Sequence, residues 1–341
     1  MRVKVAGPLN IGSELGHVQH VHPDVVHIPG GFQGYQYWMV FNPYPRAQDR
    51  WENPVIRVSH DGYSWERFHN LPDPLVPAPA DPDLHHADPE LVYAAGKLHL
   101  VFMTARKSTG ETEFFVMETR SGMDWSTPTA FHSGRWNACP TFIWTDPTWQ
   151  MWMVELDTSR RYAQARIERY AGPDIFRMKI QAVCDMSIPG HVPWHLDVQK
   201  TDLGYEALVA AFPSGTDNSR TRLFHLVSAN GSKFTLTGKC PLLAPSWLGW
   251  DNRMIYRSCF LKLETGQYRI WYSAASWCLR FGLGYLEGNI FRLKPSSLCP
   301  TTRARFSADL LPSLSMWLRY HARRRIPVRL RRSMSRLLTR P

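Results

Sequence analysis

The chain has 341 residues, 44% hydrophobic and 13% aromatic with 14 Trp, enough for one large all-β domain or two smaller ones. Six scattered Cys with no CxxC pair exclude a disulfide framework, no apolar run is long enough to span a membrane, and residues 1–15 lack the apolar core of a signal peptide. The net charge of +11 is local: from Arg303 onward there are 11 Arg and one acid, Asp309, which leaves 29 basic and 28 acidic residues elsewhere, so the basic character belongs to a tail.

In chain order, the first predicted element is a short strand at His22-Pro23-Asp24-Val25-Val26-His27-Ile28, ended by a Pro-Gly-Gly turn. Similar segments return at Asp88-Pro89-Glu90-Leu91-Val92-Tyr93, Cys139-Pro140-Thr141-Phe142-Ile143-Trp144, His195-Leu196-Asp197-Val198-Gln199 and Tyr256-Arg257-Ser258-Cys259-Phe260-Leu261. Recurrence at roughly 50–65 residues marks a repeat architecture. Each unit continues with a second strand (37–41, 98–103, 150–155, 206–212, 268–273) and a third (54–59, 114–118, 162–169, 223–228, 281–286), with a fourth expected. Asp61-Gly62 and Asn230-Gly231 suit tight turns that need positive φ.

Four-stranded units repeated about an axis make a β-propeller. The expected fold is all-β, a five-bladed β-propeller over residues 1–295 with blades at 17–70, 85–132, 136–185, 191–243 and 250–295. Residues 296–341 then form an Arg-rich, partly helical tail. Leu310, Leu311, Leu314 and Leu318 recur there at helical spacing, which predicts one amphipathic helix over 307–323 with Arg323 to Arg340 exposed.

In a propeller the innermost strands surround a channel, and alternate residues point the same way. This predicts a ring of His22 and Asp24, Asp88 and Glu90, Cys139 and Thr141, His195 and Asp197, and Arg257 and Cys259. Loops at the same mouth carry Asn42, Tyr44, Glu52, Asn53, Arg106, Glu155, Asp157, Asp217 and Trp277. Carboxylates facing one another across a channel suit glycosidic hydrolysis, which needs one protonated and one ionised carboxyl. Asp24 and Asp197 are the expected working pair, with Asp88 or Glu90 orienting them or tuning a pKa. His22, His195, Arg257, Trp194, Asn53 and Glu155 are the expected substrate contacts. The same residues have simpler readings, Asp88 as a turn acceptor before Pro89 and Glu155 as a solvated acid. His17, His20, His22, His85, His86 and His195 show no ligand spacing on one element, so neither a metal nor any other cofactor is expected.

The order His22-Pro23-Asp24-Val25-Val26, Tyr37-Trp38-Met39-Val40, Glu52-Asn53-Pro54, Ser59-His60-Asp61-Gly62, Pro193-Trp194-His195-Leu196-Asp197-Val198, Tyr256-Arg257-Ser258 and Tyr268-Arg269-Ile270-Trp271-Tyr272-Ser273 resembles the five-bladed glycoside-hydrolase clan of arabinanases, xylosidases and fructan hydrolases. It is most similar to a glycosyl-hydrolase-like subgroup of bacterial and bacteriophage proteins, over about residues 17–290. The resemblance implies a polysaccharide or oligosaccharide as partner. The clan places an Asp before Pro on its first inner strand. Here His22 holds that position, and only Asp88-Pro89 keeps the form. Two further readings stand beside hydrolysis: a non-catalytic carbohydrate-binding propeller, such as a bacteriophage tail or virion component, and an adaptor that meets nucleic acid or anionic membrane through the Arg-rich tail. With no leader or span expected, the chain reads as cytoplasmic or virion-associated.

Overall fold

A computed structural model describes residues 4–6, 8–16, 19–156 and 165–290. The helix expected over 307–323, the Arg-rich stretch and Asp157 lie outside these residues. Strand β1 (Lys4–Ala6) comes first. The first blade has β2 (His20–Phe32), β3 (Tyr35–Pro43) and β4 (Val55–Ser59), and the second has β5 (Leu84–Ala94), β6 (Lys97–Arg106), β7 (Glu111–Thr119) and β8 (Thr129–Arg135). The third has β9 (Asn137–Thr145), β10 (Thr148–Leu156), β11 (Ala165–Gly172) and β12 (Lys179–Val183). In the fourth are β13 (His191–Thr201), β14 (Gly204–Pro213), β15 (Arg222–Ser228) and β16 (Thr235–Leu236); the fifth has β17 (Met254–Lys262), β18 (Tyr268–Ala275) and β19 (Phe281–Gly288).

The result is a five-bladed propeller, as the repeats predict, with antiparallel order from the axis outward in every blade. Three details differ from the regular expectation. Strand β2 does not end at Pro29-Gly30-Gly31 but runs through it to Phe32, with a register shift there, and the turn falls at Gln33-Gly34. In the first blade the fourth strand shrinks to one bridge, Val58 with Glu66. The outermost strand of the fifth blade is supplied by β1, which pairs with β19 from Lys4↔Glu287 to Ala6↔Tyr285 and so closes the ring. Among the described residues no helix is long and apolar enough to cross a membrane.

The packing follows from the period of two in a strand sandwiched between neighbours. On β3, Trp38 and Val40 face the second blade while Tyr37, Met39 and Phe41 face the fifth. On β10, Trp152 and Val154 face the fourth blade while Trp149, Met151 and Met153 face the second. Middle strands are therefore apolar on both faces, which explains unbroken runs such as Met151-Trp152-Met153-Val154. The main cores lie at the five seams between blades.

Three of these seams use the same socket. The Trp271 and Trp152 indoles donate to the carbonyls of Gly62 (2.9 Å) and Gly231 (2.7 Å) in the following blade, and Trp38 lies against Gly122. Each of these glycines has φ between +71° and +75°, and its N–H donates to a Ser or Thr hydroxyl three residues earlier at 2.9 Å. A Cβ on Gly231 would sit 3.0 Å from the Trp152 ring. Positive φ and lack of space both require glycine there.

Trp152→Ala should lower the unfolding free energy by about 3–5 kcal/mol, and Gly231→Ala by roughly 1–2 kcal/mol, read from denaturant titrations. A polar seam gives a pH test. Burial would raise Glu206, but His225 Nε2 (3.0 Å), Lys262 and the Tyr268 hydroxyl (2.7 Å) all donate to it and hold it at about 2 against an ordinary 4.5. A depressed acid stabilises the fold fully above 4.5 and loses that contribution as pH falls toward 2. Glu206→Gln should therefore remove roughly 1–2 kcal/mol at pH 7, allowing for solvent screening of this half-open cluster, and almost nothing near pH 2.

Candidate functional site

Every inner strand carries a β-bulge near its start. The register shifts between Val21 and Asp24 on β2, Ala87 and Glu90 on β5, Pro193 and His195 on β13, and Ile255 and Ser258 on β17. On β9, Cys139 and Pro140 together oppose Met153 of β10. A bulge re-aims the side chain it contains. His22, Asp88 and Cys139 sit in these bulges with φ of 52°, 48° and 51°, each directly before a proline. A residue before proline is normally extended, so these three backbones are held in an uncommon conformation at one end of the channel.

The bulges bring five strands together at Asp88. His22 Nε2 lies 3.5 Å and His195 Nε2 3.9 Å from Asp88 Oδ1, and Arg257 Nη1 donates to the same oxygen at 3.3 Å. Cys139 N–H donates to Asp88 Oδ2 at 2.9 Å. Arg257 Nη2 also reaches Glu90 Oε2 at 2.6 Å and the Pro140 carbonyl at 3.4 Å. All of these side chains are buried.

Burial lowers His22 to about 4, and the Arg257 and His85 charges reinforce this against the pull of Asp88. His195 is pushed well below its usual value, also by burial first. Both imidazoles are neutral at pH 7. Burial would raise Asp88, but in acid, where the imidazoles become charged, His22, Arg257 and His195 together with the Cys139 N–H outweigh it and hold its carboxyl well below the usual carboxylate range. With the imidazoles neutral, Arg257 carries the compensating charge.

A second ring lies two residues along. Leu91 N–H donates to Asp24 Oδ2 (2.7 Å), Phe142 N–H to Glu90 Oε1 (3.2 Å), Val198 N–H to Thr141 Oγ1 (3.3 Å) and Phe260 N–H to Asp197 Oδ2 (2.8 Å). Thr141 Oγ1 in turn donates to Asp197 Oδ1 at 3.1 Å. Each acceptor belongs to one blade and each donor to the next, so this ring ties four of the five seams together. Burial pushes Asp24, Glu90 and Asp197 above the ordinary carboxylate range, and repulsion from Asp24 adds to this at Glu90 and Asp197.

Of the other expected contacts, the Trp194 ring packs on His195 (4.4 Å between centroids) and on Tyr256 (4.9 Å). Asn53 is buried, donates from Nδ2 to the Arg50 carbonyl (3.1 Å) and keeps an unpaired Oδ1. Glu155 is half-buried on β10, opposite Asn137 and Arg166.

Glu52 joins the cluster although sequence reasoning placed it only among the mouth loops. Its Oε1 is 3.7 Å from His22 Nδ1 and unpaired. Burial, then Asp49 and Asp88, raise its pKa well above the ordinary value. Tyr256 also belongs here, stacked on His22 at 4.9 Å and tilted against His195 at 4.7 Å. The signals for both, Glu52-Asn53-Pro54 before a third strand and Tyr256 before Arg257, were visible as motifs but not as chemistry.

His22, Asp88 and His195 each offer a ligand atom, all within 4.8 Å of one another. The expectation of no metal rested on the lack of spacing along one element; the spacing here runs across three blades. The residues fit a divalent ion of the zinc type: two neutral imidazoles, one ionised carboxylate, and buried His22 nitrogens without hydrogen-bond partners.

The seam-bridging role of Asp24 and Asp197 is open to test. Asp24→Ala and Asp197→Ala each strip a buried backbone N–H of its acceptor and should cost about 2–4 kcal/mol of stability. Asp→Asn at either position keeps an acceptor oxygen and should cost less than about 1 kcal/mol. Equal losses for Ala and Asn in chemical denaturation would refute that role.

No protein-family model matches the chain. Among curated proteins it is 25% identical over 321 residues to an A type blood N-acetyl-α-D-galactosamine deacetylase of Flavonifractor plautii, across 75% of this chain and 40% of that protein. The chain thus spans less than half the length of this relative. Among solved structures, an N-acetylgalactosamine deacetylase from F. plautii in complex with blood group B trisaccharide superposes with a TM-score of 0.72 at 20% identity, covering 84% of this chain and 95% of that one. A thermostable family-43 glycoside hydrolase superposes with a TM-score of 0.62 at 10% identity, covering 83% and 91%. The chain is a five-bladed β-propeller that shares its fold with family-43 glycoside hydrolases and with the propeller of a carbohydrate deacetylase.

Proposed function

We propose that the chain is a metal-dependent carbohydrate deacylase that hydrolyses the N-acyl group of an amino sugar at the mouth of the propeller. The observation that carries this reading is the cluster of His22, Asp88 and His195 with the carboxyl of Glu52 beside it. A divalent ion held by His22, Asp88 and His195 would supply Lewis acidity toward an amide oxygen and make water more acidic. Arg257 and the Cys139 N–H hold Asp88 in place, as the outer partners of a metal ligand do. Glu52, with its raised pKa, takes a proton from the attacking water and returns it to the departing nitrogen. The water oxygen adds to the carbonyl carbon, the C–N bond breaks, and acetate and a free amine leave. Trp194 and Tyr256 form an aromatic wall suited to the apolar face of a sugar. The 25% identity to a deacetylase supports the same reading.

A second reading is the hydrolysis of a glycosidic bond by Asp24, Asp197, Asp88 and Glu90. It is favoured by the fold shared with a family-43 hydrolase and by the raised carboxyls of the second ring. Against it, Asp24, Glu90 and Asp197 already accept backbone N–H groups, and Arg257 holds Asp88 as an ion.

The purified chain should bind one equivalent of zinc or a similar divalent ion by calorimetry and release acetate from N-acetylgalactosaminides. Chelation should abolish that release. Asp88→Asn should lose metal binding and activity together. Glu52→Gln should keep the metal and lose about 10²–10⁴-fold in kcat. New reducing ends without acetate would favour glycosidic hydrolysis instead.

A further inference from the structure

Among the described residues nine large apolar side chains are left in water, and Trp247 is the one that stands as a free indole on the face that carries the site. Trp247 is 86% exposed and Leu248 42% exposed, on the segment that leads from the fourth blade into β17. By contrast Leu203, 89% exposed, lies at the tip of the β13–β14 hairpin, at the opposite end of the channel.

The path of the chain fixes where Trp247 is. Leu243 pairs with Leu223 near the start of β15, so the chain has already reached the mouth end there. Arg253 then accepts from Arg220 N–H (2.8 Å) and donates to the Ala275 carbonyl (2.9 Å), joining two mouth loops before β17 begins. Trp247 lies between these anchors. Tyr256 is nine positions further along, a span of at most about 30 Å, and it stacks on His22.

The segment is also built to stay put. The Ser246 hydroxyl donates to Asp251, and Gly249 N–H donates to Ser246 Oγ at 2.7 Å. Gly249 has no room for a Cβ. Trp250 stacks on Tyr272 at 5.7 Å, and Asn252 Oδ1 accepts from Trp277 N–H at 3.1 Å. A loop tied down on both sides of an indole, with that indole in water, presents a rigid apolar plate at low entropic cost.

We infer that Trp247 is a stacking platform for a distal sugar of an oligosaccharide whose end sugar occupies the His22–Asp88–His195 site. The substrate class is then a glycan chain rather than a free monosaccharide. The inference rests on the carbohydrate reading above, continues the same mouth face outward, and needs no particular reaction at the site.

The test is equilibrium binding, which keeps it separate from catalysis. Calorimetry with full-length protein compares a trisaccharide that ends in N-acetyl-α-D-galactosamine with methyl N-acetyl-α-D-galactosaminide. The wild type should bind the trisaccharide more tightly. Trp247→Ala should weaken that binding about tenfold or more, leave the monosaccharide unchanged, and keep the wild-type melting temperature; Trp247→Tyr should retain most of the affinity. A trisaccharide bound no better than the monosaccharide, including no binding of either, overturns the proposal. So does a Trp247→Ala variant with wild-type trisaccharide affinity, or a dimer in light scattering that Trp247→Ala dissolves, since the indole would then cover a second copy. Trisaccharide binding that depends on Trp247, without acetate release, leaves the platform standing and refutes the deacylase.

Discussion

One buried negative charge organises this molecule. Asp88 lies at the channel mouth, away from water, where an uncompensated carboxylate costs several kcal/mol. Arg257 supplies the opposite charge from the far side of the ring, and the Cys139 N–H supplies a dipole from the third blade. Two neutral imidazoles approach from the first and fourth blades. Since each partner comes from a different blade, the ion is satisfied only when all five inner strands are in register. Structural order and the chemistry of the mouth are therefore one requirement.

The inner strands separate two tasks by position. Residues in the bulge point to the mouth and differ from blade to blade: His22, Asp88, Cys139, His195 and Arg257. Residues two places on point to the axis and mostly do one thing, accepting a backbone N–H from the next blade. A carboxyl is a good acceptor for that purpose, which is why Asp24, Glu90 and Asp197 recur. Acids at even spacing on inner strands thus have a structural explanation that a catalytic motif does not require. The geometry moves the chemistry one register position toward the mouth, where Glu52 is the carboxyl without a partner on Oε1.

Much of this was legible in the sequence. Strand-length apolar runs with Trp at their centres, and Ser-x-Asp-Gly or Ser-x-Asn-Gly turns, mark blades because both faces of a middle strand are buried and the turns need positive φ. The five mouth residues could be aligned for the same reason. What was hidden is what depends on distance between blades. His22, Asp88 and His195 share no local spacing, so their convergence has no signature in any one segment. The bulges were invisible too, because a residue before proline reads as extended while His22, Asp88 and Cys139 take positive φ. The closure by β1 escaped because three residues are too short a strand to stand out.

That closure sets an order on how the molecule can be made. Strand β1 leaves the ribosome before the other strands of the propeller, yet its partner β19 is the last of them, ending at Gly288. Until then β1 has no sheet to join, and Arg257, the counterion of Asp88, is made only after the first four blades. The earlier blades must wait with an open seam and an acidic mouth, exposed in the way that slow, long-range β pairing exposes a nascent chain. Ring sealing and completion of the mouth therefore belong to the last moments of assembly, and a chain cut short before the fifth blade would lack both together.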